Sequence, residues 1–575
     1  MYVANAPRIW PELPAEIAER IVSHLDGNEV AASFRLVNKA AAAQFSGPQH
    51  TVTRLSRPVH PHAFAAHWLA PGATRGLTLR QRRQLACLTA ASGVLANLEV
   101  ALRAGGCEPT REVARAAAAA GHLAPVQWLL LQQRDRLADS DVRLTASGAL
   151  EAAAGAGHRH VCEWLLGLGG LSWRPGWAVE AARGGHVGLM EWLLQLQPPA
   201  PGGPADQAPA QTRPSSSVRL ELVLAAAHGC DLATLRRLWR TLGEGDGAGE
   251  PDGVGEADMR WALAAAAGSP TPDWAAKVEW LEACGCPRSA KAARQAAACA
   301  PGSPDAAARL PWLRSRGYPL DRRAAEGAVH SGNAAALQYL LAGAAPEGSR
   351  HSASAATAAA AVGDLAALQT VCAAGWRVDA RRAGLLAAAG GHVAVLAWLV
   401  EALGEEAVGL DSDLLNGAAG AGSVELLAWL RERGCEWDGR TFAHAARSGC
   451  EAALEWLAER GCPMPDDCGP YGDAVLAGDL ATASCLRRLG CPWGDGDGAA
   501  AALARAVWSA PLPLVRWMLE AGCCPAGEGA GDVGGAADDG RVLAAVGQLK
   551  DAERAAALRA LLEEHRRRRR GHPQG

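Results

Sequence analysis

Two residue types in this chain could hold a metal or move a proton, and both recur at fixed positions. A cysteine follows a glycine at Cys107, Cys286, Cys435, Cys462, Cys491 and Cys523. A histidine follows a glycine at His122, His158, His186 and His392. Thiolates and imidazoles are the ligands of structural zinc, but a zinc site needs four donors converging on one point. These residues are spread one at a time along the chain. Equivalent positions of neighbouring repeats lie roughly 10 Å apart, the spacing of packed helices, which is too far to share one ion. The cysteines are therefore expected to be small packing residues, and the histidines to hydrogen-bond within turns. The acidic stretch 243–258 carries Asp246, Asp252 and Asp258, without the alternating ligands, central glycine and closing glutamate of a calcium loop. The chain contains no G-x-x-x-x-G-K-[ST] phosphate loop, no G-x-S-x-G elbow and no H-E-x-x-H pair. No catalytic residue, cofactor or metal is expected.

The elements that position these residues are written as copies. A glycine is followed seven residues later by tryptophan at Gly121–Trp128, Gly157–Trp164, Gly185–Trp192, Gly391–Trp398, Gly422–Trp429 and Gly449–Trp456, and by tyrosine at Gly332–Tyr339. Weaker copies end at Trp239, Trp280, Trp312 and Trp517. An alanine-rich run precedes nearly every such glycine. Two helices per copy account for this. The first is narrow, so the next copy can approach closely, and the glycine ends it in a left-handed turn. The second carries an apolar stripe, as at Val424, Leu427, Trp429 and Leu430. No copy can bury that stripe alone, so the copies must stack. The tryptophans Trp128, Trp164, Trp192, Trp398, Trp429 and Trp456 are expected in the interior of the repeats, because an aromatic residue at a fixed helical phase is usually core.

The stretches AAAAAGHLAPVQWLL (116–130) and AAAGGHVAVLAWLV (387–400) resemble the core of the ankyrin repeat, A-A-x-x-G-H-x-x-x-V-x-x-L-L-x-x-G. Gly363–Gly375, Gly422–Gly434, Gly449–Gly461 and Gly478–Gly490 keep that family's glycine spacing of twelve. The resemblance covers residues 88–525. It implies an all-α, ankyrin-type helix-turn-helix repeat solenoid. The copies run to 31, 27 and 29 residues from 391 to 478, shorter than the family's roughly 33. The Thr-Pro-Leu-His opening is also absent in register, so short inter-repeat loops are expected in place of projecting fingers. Some ankyrin-bearing families are enzymes, including relatives of lipid phosphodiesterases, whose chemistry sits in a separate domain. The stretch outside the repeats and linkers, 50–87, is too short for one.

Residues 10–45, WPELPAEIAERIVSHLDGNEVAASFRLVNKAAAAQF, show no trace of the repeat. Leu13, Ile17, Ile21 and Leu25 recur every four residues, a helical face. Leu13, Pro14, Glu16, Ile21, Leu25, Asp26, Val30 and Val37 resemble the F-box, a small helical module that docks on the Skp-type adaptor of a cullin ubiquitin ligase. Ala41 stands where that family usually has tryptophan. The resemblance implies adaptor docking through Leu13, Pro14, Ile17, Ile21, Leu25, Val30 and Val37. A helical cap shielding the first repeat is the other reading.

The expected organisation is a helical module at 8–48 and a helical connector at 49–87. The repeat array at 88–525 carries disordered insertions at 197–217 and 243–258. A Gly/Asp-rich linker at 526–540, a capping helix at 541–565 and a basic tail at 566–575 follow. The formal net charge of −4 and pI near 6.5 argue against nucleic acid as a partner. No apolar run is long enough to span a membrane, and the N-terminus has no secretory pattern. The 16 cysteines form no C-x-x-C pair, which favours a reduced intracellular setting, cytoplasmic or nuclear. The function expected is a monomeric, non-catalytic scaffold for a protein partner, and a ligase substrate receptor if the N-terminal module docks the adaptor. A plain scaffold with an N-terminal cap is the alternative.

Overall fold

The computed structural model describes residues 14–134, 139–197, 215–243, 255–299, 305–344, 353–493, 496–521, 542–549 and 552–571. It is all helical, with no strand among the described residues. An isolated antiparallel bridge joins Cys107 and Asp479. The chain divides into two compact units. One comprises residues 1–149, 446–459 and 464–575; the other comprises 150–445 and 460–463. The expected insertion cores 198–214 and 244–254, and the linker at 526–540, lie outside the described residues.

The second unit is a succession of helical pairs, such as Ser354–Val362 with Leu365–Ala373, Ala380–Gly390 with Val393–Leu403, and Ser412–Gly420 with Val424–Glu432. The first helix of these pairs buries mostly small residues: Ala355, Ala356, Ala359 and Ala360 are fully enclosed, as are Ala383, Ala387 and Ala388, while Ser412–Gly420 adds Leu414 and Leu415 to Ala418 and Ala419. Alanine costs no side-chain entropy in a helix and leaves room for a neighbouring backbone. The glycine that follows sits at φ between +67° and +82° in the copies at Gly121, Gly157, Gly185, Gly332, Gly363, Gly391, Gly422, Gly449 and Gly478, and among the described residues only glycines have positive φ. The amide after it then bonds five residues back: His392 to the Ala387 carbonyl at 2.9 Å, Ser423 to Ala418 at 3.1 Å, Asp364 to Ala359 at 3.0 Å. That bond closes a Schellman turn and satisfies a carbonyl the helix end would leave bare.

The first unit begins with the small helices Ala15–Val22, Gly27–Ala32 and Lys39–Gln44 around a core of Ala18, Val22, Val30 and Phe45. Asn28, buried at the start of the second helix, donates to the Arg54, Arg57 and Pro58 carbonyls at 2.8, 3.3 and 3.1 Å and accepts from the Arg54 amide at 2.7 Å. It fastens the following loop to the module. The first pair of the array is Leu79–Ala91 with Leu95–Gly105, so repeats begin before residue 88. At the far end, helix Ala552–Gly571 lays Ala555, Leu558, Leu561 and Leu562 on Leu514, Val515, Met518 and Leu519. It runs through the basic stretch Arg566–Arg570 that the sequence places in a tail. No helix among the described residues is long and apolar enough to cross a membrane.

Candidate functional site

The recurrent histidines and cysteines have structural explanations in this fold. A Cβ built on Gly93, Gly157 or Gly363 would lie 2.6, 2.5 or 2.4 Å from the ring of His122, His186 or His392, the histidine one repeat further on. Each glycine is thus a bare socket that seats the next repeat's imidazole. From there His392 Nε2 reaches the Ala361 carbonyl at 3.2 Å, at the end of the preceding repeat's first helix. In three repeats that lack Gly-His, another side chain makes the same reach. Asn333 Nδ2 donates to Ala297 at 3.2 Å, Arg309 to Ala267 at 2.9 Å, and Lys277 Nζ to Ala227 and Cys230 at 2.9 and 2.8 Å. Donors, and cations above all, suit the negative end of a helix dipole. Lys277 is fully enclosed, and burial lowers its pKa to about 8 despite the nearby Asp273 carboxylate.

The cysteines mark the close of the second helix. Cys286, Cys435 and Cys491 donate their amides to Leu281, Leu430 and Leu486 five residues back, at 3.1, 3.2 and 3.0 Å, the same turn again. Trp376 and Tyr318 occupy this place in other copies, bonded to Val371 and Leu313, and are also buried. The position calls for an apolar plug against the helix it follows. Burial pushes the Cys286 and Cys491 thiols up to about 12 and Cys462 to about 11, so none is a ready nucleophile. Cys107 and Cys435 are buried and raised likewise, and Cys523 lies outside the described residues. One cluster of metal-type donors occurs among the described residues: Glu451, Glu455 and Cys485. Arg488 already donates to all three, at 3.4, 2.6 and 3.4 Å, and Arg75 pairs with Glu455.

The ladder tryptophans Trp128, Trp164, Trp192, Trp398, Trp429 and Trp456 are each partly exposed. Full burial belongs to the next residue in every copy: Leu129, Leu165, Leu193, Leu399, Leu430 and Leu457. One helical step turns a side chain by about 100°, so the indole lies at the edge of the stripe that leucine centres. At two of them a cation covers the open face: the Arg433 guanidinium sits 3.8 Å above Trp429, and Arg159 4.9 Å above Trp192.

The residues read as an adaptor-docking set separate into two groups. Val30 is buried in the module core and Leu25 packs against it, while Pro14 starts the first helix. Ile17, Ile21 and Val37 face outward, 43%, 39% and 71% exposed. The helix buries Ala18 and Val22 instead, one step round from the isoleucines. Leu13 lies outside the described residues. Sequence reasoning missed Leu36, 67% exposed beside Val37, and a groove of about 630 Å³ lined by Leu36, Leu55, Val59, Phe64, Trp68 and His67. Phe64 and Trp68, four residues apart in helix Pro61–Trp68, were the available signal.

No protein-family model and no curated protein matches the sequence. Among solved structures, the pentatricopeptide repeat protein PPR10 from maize is 14% identical, over 97% of this chain and 96% of that one, with a TM-score of 0.24. Two structures titled as PPR10 in complex with an 18-nt psaJ RNA element are each 13% identical, over 96% of both chains, with TM-scores of 0.19. Likeness at this level decides nothing about how this chain's repeats are built, which its own helices show directly. One correction is due. The exclusion of nucleic acid rested on a net charge of −4. Net charge sums over the whole chain and is blind to a local concentration of arginine on one face, so that exclusion is withdrawn. What stands is an all-helical array of paired helices, a fold typical of proteins that bind macromolecules rather than of enzymes.

Proposed function

We propose that the chain is a non-catalytic scaffold whose ankyrin-like array holds a protein and whose N-terminal module docks on a Skp-type adaptor, presenting that protein to a ubiquitin ligase. The observation that carries the reading is the outward-facing apolar set of Ile17, Ile21, Leu36 and Val37 on a module that already has its own core. A cap that only shielded a repeat would turn such residues inward, and exposed apolar neighbours such as Leu36 and Val37 are the mark of an interaction surface. The Gly-His sockets and Schellman turns support the ankyrin-like reading of the array.

Pull-down of the full chain by the purified adaptor tests this, beside Ile21→Asp and Val37→Asp. Both side chains are exposed, so these variants keep their circular dichroism. Capture by the wild type that falls at least about tenfold in the variants is the expected result. Failure of the intact protein to bind reduces the module to a cap and the function to a plain scaffold. A gel shift of single-stranded RNA by the same preparation, in place of protein capture, replaces the proposed partner class.

A further inference from the structure

Within the first unit, residues far apart in the chain meet. Arg82 and Asp479 are each 1% exposed and form a two-pronged ion pair, at 2.9 Å to Oδ1 and 2.7 Å to Oδ2. The same guanidinium donates to the Gly105 carbonyl at 2.6 Å, the Gly449 carbonyl at 2.8 Å and the Thr482 hydroxyl at 3.3 Å. Thr482 in turn donates to Asp479 at 2.6 Å. Around this centre Arg83 donates to the Ala477 carbonyl, and Arg75 pairs with Glu455. The backbones of Cys107 and Asp479 form a bridge, and the Ala452 amide donates to the Arg75 carbonyl at 2.9 Å.

The fit is close at two glycines. A Cβ on Gly449 would stand 2.8 Å from the Leu79 Cβ, and one on Gly106 would stand 2.8 Å from the Ala481 Cβ. In a plain linear array each repeat touches only its sequence neighbours. Here the first pair, Leu79–Ala91 with Leu95–Gly105, and the turn before it also grip the starts of helices Glu451–Glu459 and Leu480–Arg488.

We propose that this contact is a latch: residues 75–107, 449–459 and 464–482 of the first unit join and part as one body. The centre of the contact is ionic, which makes it releasable. Two charges that separate are rehydrated, and a buried pair adds little net stability while both partners are present. Loss of one partner is a different matter, because it strands a charge among carbonyls in a buried site.

The Ala452 amide is a built-in reporter. It lies in the first turn of helix Glu451–Glu459, where an amide has no acceptor within its own helix. Its acceptor is the Arg75 carbonyl, so its protection from hydrogen exchange exists only while the latch is closed.

The test is hydrogen–deuterium exchange of the full chain, read by mass spectrometry, for the wild type, Arg82→Met, Arg82→Met/Asp479→Leu and Arg75→Ala. Slow exchange at Ala452 in the wild type is expected. In Arg82→Met, peptides covering 75–90, 449–455 and 477–482 accelerate together, by roughly a hundredfold. The double variant, with no stranded charge, recovers much of the protection. Should Arg82→Met fail to fold, Arg75→Ala, which removes one partly exposed pair, accelerates the same peptides by a smaller factor. Exchange at Ala452 in the wild type as fast as at an open helix terminus overturns the proposal. So does acceleration confined to peptides of the substituted residue's own helix pair.

Discussion

Replacing Gly363 by alanine tests whether the imidazole socket holds neighbouring repeats in register. Two penalties are expected, and they can be separated. Gly363 sits at φ +82° and ψ 16°, where a residue with a Cβ costs about 1–2 kcal/mol. The new methyl would also fall 2.4 Å from Nδ1 and 2.5 Å from Cε1 of His392, so the ring must leave. Leaving breaks its 3.2 Å bond to the Ala361 carbonyl, about 1 kcal/mol for a bond of this kind. Gly363→Ala should therefore cost about 2–3 kcal/mol. His392→Ala alone loses the bond, about 1 kcal/mol. In the double variant the bond has gone already and no ring is left to strike, so only the backbone penalty is added. Urea denaturation of the four proteins should show a double variant less destabilised than the sum of the singles, by about 1 kcal/mol. Strict additivity would mean that glycine and histidine act independently, and the socket would be an accident of the turn.

Two further outcomes follow from burial. Lys277 holds its proton up to about pH 10.5 when unfolded and releases it near 8 when folded, because burial disfavours the ammonium. Between those values the unfolded chain binds more protons. The stability of the wild type relative to Lys277→Met should therefore rise with pH from 8 to 10.5, by at most about 3 kcal/mol, and be flat below pH 7.5. Matched urea titrations across that range check it, and the variant difference removes the opposing contribution of the buried thiols. In the second, Leu430→Ala should cost about 2–5 kcal/mol, and Trp429→Ala less, although indole is the larger group. Leu430 is fully enclosed, whereas the indole keeps one face outward under Arg433. Denaturation midpoints of the two variants give the order.

What the sequence reveals about this fold is what depends on near neighbours. A glycine before histidine or cysteine announces a left-handed turn, and an alanine-rich run before it announces a narrow helix. Both are conditions on a few adjacent residues, and helix pairs stand where those patterns predict them. The ladder tryptophans show the limit of such reasoning. Periodicity shows that Trp429 and Leu430 lie on a helix beside a stripe, but not which of the two is at its centre. That depends on how deeply the adjacent pair of helices sits. The outward turn of Ile17 and Ile21 was hidden for the same reason, since Ala18 and Val22 form an equally regular face one step away. The cluster of Arg82, Asp479, Gly449 and Thr482 leaves no pattern at all, because its partners are separated by hundreds of residues. Lys277 and Arg309 are similarly disguised as ordinary surface cations in alanine-rich helices.

The reach of each repeat to the carbonyl of the one before it has a direction. His392 serves Ala361, Asn333 serves Ala297, Arg309 serves Ala267 and Lys277 serves Ala227; in every case the donor comes later in the chain than the acceptor. A ribosome makes the acceptor first. While the protein is being synthesised, the helices ending near Ala227, Ala267, Ala297 and Ala361 each emerge with a carbonyl still waiting for a partner, and the pair that follows supplies it. Shortening the chain from its C-terminal side into this stretch would leave such an unfinished end, whereas shortening from the N-terminal side would remove only acceptors. The nascent array thus matures one repeat behind the point of synthesis.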